Sequence, residues 1–168
     1  KMYVTELICP PEEAGKDLRA LGWGRRYGAN IIKIVRGKKE FDIPSGDMVL
    51  SEGDRLAVIG EKENLVSLRL SIGADAAEDI PTLHTYIAGE KALYTYTLDV
   101  AKNDHLAGST IRDSGLRENY DCMILGLQRN LLPIIGPDVN FVIQRGDLVW
   151  LLGSHRMAEK ALDDMEEA

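Results

Sequence analysis

Cysteine is scarce in this 168-residue chain, with only Cys9 and Cys122 present. Two thiols at unrelated positions cannot build the disulfide framework on which small oxidised domains depend, so both read as reduced side chains. Long apolar runs are lacking too, and none approaches the roughly 20 residues that a spanning helix requires. No basic segment followed by an apolar stretch opens the chain, so no secretory leader is expected within these residues. Basic residues number 20 against 27 acidic ones, for a net charge of −7. Nucleic-acid affinity comes largely from Lys and Arg neutralising phosphates, so this balance argues against DNA or RNA as a partner.

Catalytic signatures are missing as well. The chain holds no GxSxG, HExxH, GxxxxGKS/T or paired-cysteine motif, and the pair Gly22-x-Gly24 lacks the third glycine and preceding strand of a dinucleotide fingerprint, so it reads as loop. His84, His105 and His155 have none of the local spacings of a zinc site and read as surface residues. The expectation is a protein that is not an enzyme and holds no metal.

What is present is an internal repeat. Ala14-Gly15 and Ala107-Gly108 lie 93 residues apart, and the same offset pairs Tyr3 with Tyr96, Arg19 with Arg112, Gly22 with Gly115, Tyr27 with Tyr120 and Ile31 with Ile124. It also pairs Arg36 with Arg129, Pro44 with Pro137, Val49 with Val142, Gly53-Asp54 with Gly146-Asp147 and Gly60 with Gly153. That makes 13 identities in the 58 positions from 3 to 60, where ordinary residue usage would give roughly three or four. Pairs such as Ile34/Leu127, Leu56/Val149 and Val58/Leu151 keep their apolar character. A period this long exceeds that of solenoid units, so each copy reads as a domain with its own core.

In the first copy, strands are expected over Met2 to Cys9, Ala29 to Arg36, Glu40 to Ile43 and Arg55 to Ile59, with Gly37-Lys38 as a hairpin turn. Helices are expected from Gly15 to Leu21 and from Glu61 to Leu70. The second copy repeats this order with Tyr94 to Val100, Ser109 to Asp113, Met123 to Gln128, Leu131 to Ile135, Leu148 to Leu152 and a closing helix from His155 to Met165. Each copy is thus a β-α-β-β-β-α unit, giving an α/β (α+β) chain. The expected divisions are a first domain over 1–72, a linker over 73–92 that includes Ala74 to Asp79 and Pro81, and a second domain over 93–168. Strand pattern begins at once after Lys1, which suggests the tail of a longer polypeptide. Trp150, amid Leu148, Val149, Leu151 and Leu152, is expected to be buried between copies or in a dimer interface.

The pattern Gly15-x-x-Leu18, Tyr27-Gly28-Ala29-Asn30-Ile31-Ile32-Lys33-Ile34-x-Arg36-Gly37, Ile43-Pro44-x-Gly46-Asp47 and Glu52-Gly53-Asp54-Arg55-Leu56-x-Val58-Ile59-Gly60 resembles the TrkA-C domain, the C-terminal lobe of the regulator-of-potassium-conductance family. The second copy resembles it through Gly108, Ile111, Gly115, Tyr120, Gly146-Asp147 and Gly153. The resemblance implies a ligand-sensing, dimerising module on the cytoplasmic face of the bacterial inner membrane, joined to the transmembrane transporter domain of the same chain. Tandem pairs of this kind resemble the tails of Kef-like antiporters that exchange monovalent cations, K+ or Na+, for protons. A purely structural assembly module is the alternative, as is a regulatory insert of another permease or potassium channel.

Some TrkA-C domains bind cyclic di-AMP beside an Asn-Ile pair that opens the second strand, which the resemblance carries to Asn30, Ile31 and the adjacent Ile32. An Asn amide can donate and accept at a base edge, and aliphatic neighbours can stack on the base. The competing reading makes Asn30 a turn residue and Ile31 core. In the second copy Met123 stands where Asn30 does, so a site there would lack its polar anchor. The run Arg36-Gly37-Lys38-Lys39, with Arg25-Arg26 close before the same strand, offers charge for a phosphate, although a solvated hairpin tip is the plainer reading.

Overall fold

Strand alternation and glycine placement build two four-stranded antiparallel sheets. The computed structural model describes residues 1–75, 79–89, 92–100 and 105–166, and it divides into Lys1–Lys91 and Ala92–Ala168. Unit 1 runs β1 (Tyr3–Ile8), a 3-10 turn (Pro11–Glu13), α1 (Leu18–Leu21), α2 (Trp23–Tyr27), β2 (Asn30–Arg36), β3 (Lys39–Asp42), β4 (Arg55–Gly60), α3 (Lys62–Ser71) and α4 (Leu83–Ala88). Unit 2 runs β5 (Tyr94–Asp99), a 3-10 turn (Arg112–Ser114), α5 (Leu116–Tyr120), β6 (Met123–Arg129), β7 (Leu132–Ile135), β8 (Leu148–Gly153) and α6 (His155–Glu166). Strand order is β1-β4-β2-β3 in the first sheet and β5-β8-β6-β7 in the second. β4 and β8, each an inner strand of its sheet, carry the apolar runs.

The expected β-α-β-β-β-α order is present in both units, with two local corrections. Gly22-x-Gly24 is not loop. Gly22 takes the left-handed conformation (φ 68°), ends α1 and starts α2, in which Gly24 lies. The helical turn expected at Ser109 to Asp113 falls later, as the 3-10 turn and α5. In both places an αL glycine joins two short helical segments, a device invisible to periodicity.

One helix-bearing face of each sheet builds the core. Leu7, Cys9, Trp23, Ala29, Ile31, Ile34, Leu50, Leu56, Val58, Leu65 and Leu68 pack together in unit 1. Val100, Leu116, Cys122, Leu127, Ile143, Val149, Leu151, Ala158 and Ala161 do so in unit 2. Counterparts 93 apart coincide from α2 to α3: Trp23 with Leu116, Ile34 with Leu127, Leu56 with Val149 and Leu68 with Ala161.

The offset is not constant through the first strand. Tyr3 lies opposite Gly60 and Tyr94 opposite Gly153, so the counterpart of Tyr3 is Tyr94, 91 residues on, and not Tyr96. Leu7 then matches Leu98, and Cys9 matches Val100. A step of two leaves every side chain on its own face, so the apolar pattern cannot distinguish the two alignments. The two additional residues of unit 2 fall between Val100 and Gly108.

Both second strands bulge at matching places. Pairing of β2 with β4 shifts between Ile31 and Lys33, which leaves Ile32 as the extra residue; in unit 2 the shift lies between Ile124 and Gly126, with Leu125 extra. The carbonyls so displaced are satisfied from the next turn: Ile43 N–H donates to Ile32 at 2.8 Å and Gly136 N–H to Leu125 at 3.1 Å. Both donors have positive φ, 46° at Ile43 and 58° at Gly136.

The faces opposite the cores differ. In unit 1 this face includes Ala57, Ile59 and Lys33, the last only 4% exposed and paired with Glu40 (3.4 Å) and Asp42 (3.6 Å). Gly126 replaces the lysine in unit 2. A side chain there would strike the Ile134 carbonyl at 2.5 Å and the Trp150 ring at 3.2 Å. Trp150 is thus half-buried against Gly126 of its own sheet. Within the span read as a linker, residues 76–78, 90 and 91 lie outside the described residues. Ile80 joins the first core, and Pro81 to Leu83 lies along β1, with Val4 N–H on Pro81 C=O and Leu83 N–H on Met2 C=O, both at 2.9 Å.

The β6–β7 hairpin turns on Asn130 (φ 52°) and Leu131 (φ 66°), and Leu131 is 85% exposed. A leucine in the left-handed region costs about 1–2 kcal/mol relative to an unstrained residue, and Asn-Gly is the favoured dipeptide for this turn. Leu131→Gly is therefore expected to stabilise unit 2 by about 1 kcal/mol, read as a higher midpoint in urea unfolding with unchanged slope.

Candidate functional site

The site proposed from sequence opens β2 in unit 1. Asn30 sits just after Gly28, whose φ of 62° turns the chain from α2 into the strand. Its side chain is exposed, and its Oδ1 would be 3.2 Å from a Cβ on Gly24. Gly24, set aside as a loop residue in the sequence, is thus the residue whose missing side chain leaves room for the Asn30 amide over α2. Ile31 and Ile32 are 5% and 0% exposed. Ile31 belongs to the core, and Ile32 is the bulged residue fastened by Ile43. The fold therefore presents the Asn30 amide to solvent and uses the two isoleucines to hold its position. Bulges often re-aim neighbouring side chains at functional sites. In unit 2 the counterpart Met123 is buried.

A second constellation was not singled out as a unit in the sequence. Asp54, 1% exposed, accepts Nε of Arg36 on Oδ1 and Nη2 of Arg36 on Oδ2, both at 2.8 Å, and the Ser51 N–H at 2.8 Å. The same guanidinium donates to Val49 C=O at 2.9 Å and lies over the Phe41 ring. In unit 2, Asp147 receives Arg129 at 2.9 and 2.8 Å and Gln144 N–H at 2.8 Å, while Arg129 donates to Val142 C=O at 2.9 Å and lies over Phe141. Two parallel N–H···O bonds between planar groups make this the strongest form of side-chain ion pair. Its signal was already in the repeat, since Arg36/Arg129 and Asp54/Asp147 are both among the 13 identities.

This pairing corrects the phosphate-binding reading of Arg36-Gly37-Lys38-Lys39, because Arg36 is committed to Asp54 while Lys38 and Lys39 stand in solvent. Arg26 is engaged locally, donating to Leu21 C=O at 3.1 Å. The hydrogen bond from Arg36 holds the Asp54 carboxyl below the ordinary range against the opposing effect of burial. Burial opposes ionisation of Asp147 too, yet the hydrogen bonds from Arg129 and Gln144 outweigh it and leave that carboxyl lowered.

The thiols are core atoms. Cys9 stands where unit 2 has Val100, and Cys122 where unit 1 has Ala29, so each fills a position for which a small apolar group suffices. Burial raises the pKa of Cys9 and pushes that of Cys122 to about 11. All three histidines are exposed. His155, at the start of α6, lies 2.7 Å from the Tyr96 hydroxyl, edge-on to Tyr94, and 3.2 Å from Glu159. Among the described residues no group of three or more His, Cys, Asp or Glu side chains could hold a metal ion.

The TrkA-C domain family matches residues 4–73 and again 96–165. The chain belongs to that family. Its two TrkA-C units account for both sheets described above. An uncharacterized transporter of Synechocystis sp. is 27% identical over 136 residues, which is 77% of this chain and 22% of the relative. A protein of Actinobacillus pleuropneumoniae serotype 5b, provisionally named a transport protein, is 32% identical over 123 residues, 73% of this chain and 21% of its own. The chain thus spans about a fifth of the length of the curated relatives it matches. Among solved structures, the RCK C domain of the potassium transport protein KtrA in complex with c-di-AMP shares 32% identity, covers 43% of this chain and 85% of its own, and has a TM-score of 0.41. No helix of the described residues is long and apolar enough to cross a membrane.

Two outcomes follow from the TrkA-C units. A carboxyl whose folded pKa is lowered contributes stability that is complete above the unfolded value of about 3.9 and is lost as pH falls through the lower folded value. Acid unfolding monitored by circular dichroism should therefore begin below about pH 4, and Asp54→Asn should cost unit 1 about 2–4 kcal/mol at neutral pH while flattening that acid limb. At pH 8, Ellman's reagent should leave both thiols unmodified in the native protein and modify both in guanidinium, because only the thiolate attacks.

Proposed function

We propose that the chain is the regulatory tail of a membrane transporter, a non-catalytic pair of TrkA-C units that senses a nucleotide ligand at the cytoplasmic face of the bacterial inner membrane. The observation that carries this reading is the double family match in a chain that aligns with about a fifth of relatives named as transport proteins. The transported substrate follows from the resemblance to Kef-like antiporters and is a monovalent cation, K+ or Na+, exchanged for protons. The transmembrane domain of the same chain is the immediate partner, and a homodimer is the working form.

Ligand recognition is assigned to unit 1, through the Asn30 amide, with Ile31 and Ile32 fixing the strand that presents it. A cyclic dinucleotide, cyclic di-AMP in particular, offers adenine edges that both donate and accept, which matches an amide. The exposed Asn30 in one unit and the buried Met123 in the other support a single sensing unit per chain. A ligand regulates transport only to the extent that it binds one dimer or interdomain geometry more tightly than another.

Thermal unfolding with and without cyclic di-AMP tests the ligand assignment. A ligand at a hundred times its Kd adds about 2.7 kcal/mol to the native state, enough to raise the Tm by several degrees. Asn30→Ala should abolish the rise without lowering the ligand-free Tm by more than about 1 °C, since an exposed side chain contributes little to stability. An unchanged Tm at saturating nucleotide would leave the assembly-module alternative in its place.

A further inference from the structure

Four strands form the outer edges of the two sheets, and three of them are guarded. The β1 edge is covered by Pro81 to Leu83, which takes up Val4 N–H and Met2 C=O. The β3 edge carries Lys39, Glu40 and Asp42, and charge on an edge strand discourages further pairing. The β7 edge carries Pro133. Gly136 N–H points inward to β6, so by alternation Pro133 occupies an outward-facing position, where a proline offers no donor.

The β5 edge has neither strap nor proline, and its one charge, Asp99, stands at its end. Its sequence, Tyr94-Thr-Tyr-Thr-Leu-Asp99, is rich in aromatic and β-branched residues, contains no proline, and lies in a stretch from Ala92 to Leu98 without charge. Val100 N–H points inward to Asp147 C=O, so Thr95 and Thr97 direct their amides outward. Both residues are exposed, whereas Val4, the counterpart of Thr95, is buried beneath the strap on β1. Among the described residues neither outward amide is bonded. Unit 1 shows that this edge of the fold accepts an extended segment.

We propose that the open edge of β5 pairs antiparallel with β5 of a second copy of this chain, joining two unit 2 sheets across a dyad at Tyr96. That register sets Thr95 opposite Thr97 on both sides of the axis, each pair exchanging two backbone hydrogen bonds, and Tyr94 opposite Leu98. Threonine pairs are favourable across strands. A neutral stretch sets no like charges against each other, which favours a second copy as occupant in a chain whose net charge is −7. Self-pairing also needs only the one patch, as an isologous contact does. A six-residue edge buries far less than the roughly 1,600 Å² of a standard interface, so the pair is weak in free solution and depends on the high local concentration that a shared membrane assembly supplies. The inference uses nothing of the Asn30 site and stands or falls without ligand.

The test is amide hydrogen exchange of the 168-residue chain from micromolar to millimolar concentration, alongside sedimentation equilibrium. Self-association with protection of Thr95 and Thr97 amides that grows with concentration is expected. Thr95→Pro removes one outward donor per copy at a position where an edge strand tolerates proline, and the loss of two hydrogen bonds should raise the dissociation constant about thirtyfold. A chain that stays monomeric at millimolar concentration overturns the proposal. So does a dimer in which both amides exchange at their monomer rates. If Thr95→Pro disturbs the circular dichroism spectrum, the exchange pattern of the unaltered chain decides.

Discussion

Each unit is organised around one buried carboxylate. Asp54 sits where the turn after Leu50 enters β4, and the guanidinium of Arg36 reaches it from the end of β2 while also holding the Val49 carbonyl. Three chain segments that would otherwise meet only through apolar contact are thereby fixed in register at the foot of the sheet. The aromatic ring under the guanidinium comes from β3 in unit 1 and from the following loop in unit 2. The ion pair is the invariant part of the arrangement, and its packing partner varies around it.

Backbone conformation is repeated more faithfully than sequence. Positive φ recurs at Gly15 and Gly108, Gly22 and Gly115, Gly28 and Asp121, Gly37 and Asn130, Ile43 and Gly136, and Gly53 and Gly146. In three of these six pairs only one member is a glycine. Ile43 adopts a conformation that is costly for a β-branched side chain, and it is held there because its N–H satisfies the bulge at Ile32 while its side chain is buried. The turn chemistry is thus dictated by the sheet irregularity it serves.

Much of this was readable from residues alone. The repeat, the order of elements and the core positions of β2, β4 and α3 follow from apolar character recurring at a fixed interval, which is how a buried face is encoded. The register of the first strand was not readable, because Tyr94, Tyr96 and Leu98 all satisfy one alternation. The helices at Trp23 and Leu116 span barely more than one turn, too short for any periodicity to register. Asn30 could be placed at the mouth of its strand and Ile31 read as core, yet nothing in the sequence told that the adjacent Ile32 is buried too, since a bulge puts neighbouring residues out of simple alternation. The Arg–Asp pairs were visible as matched identities but joined only by folding, their members being 18 residues apart.

Lys33 and Gly126 occupy the same place in their respective sheets, and the surroundings of each have been rebuilt to suit it. An ammonium beside Glu40 and Asp42 answers one demand, while a backbone brought close enough to Ile134 and Trp150 to forbid any side chain answers another. Exchange of β2 for β6 between the halves would strand two carboxylates on one side and force a long cation into an occupied space on the other. Duplication thus supplied a common scaffold, but the two halves have since become committed to different neighbours and no longer serve as spare parts for each other.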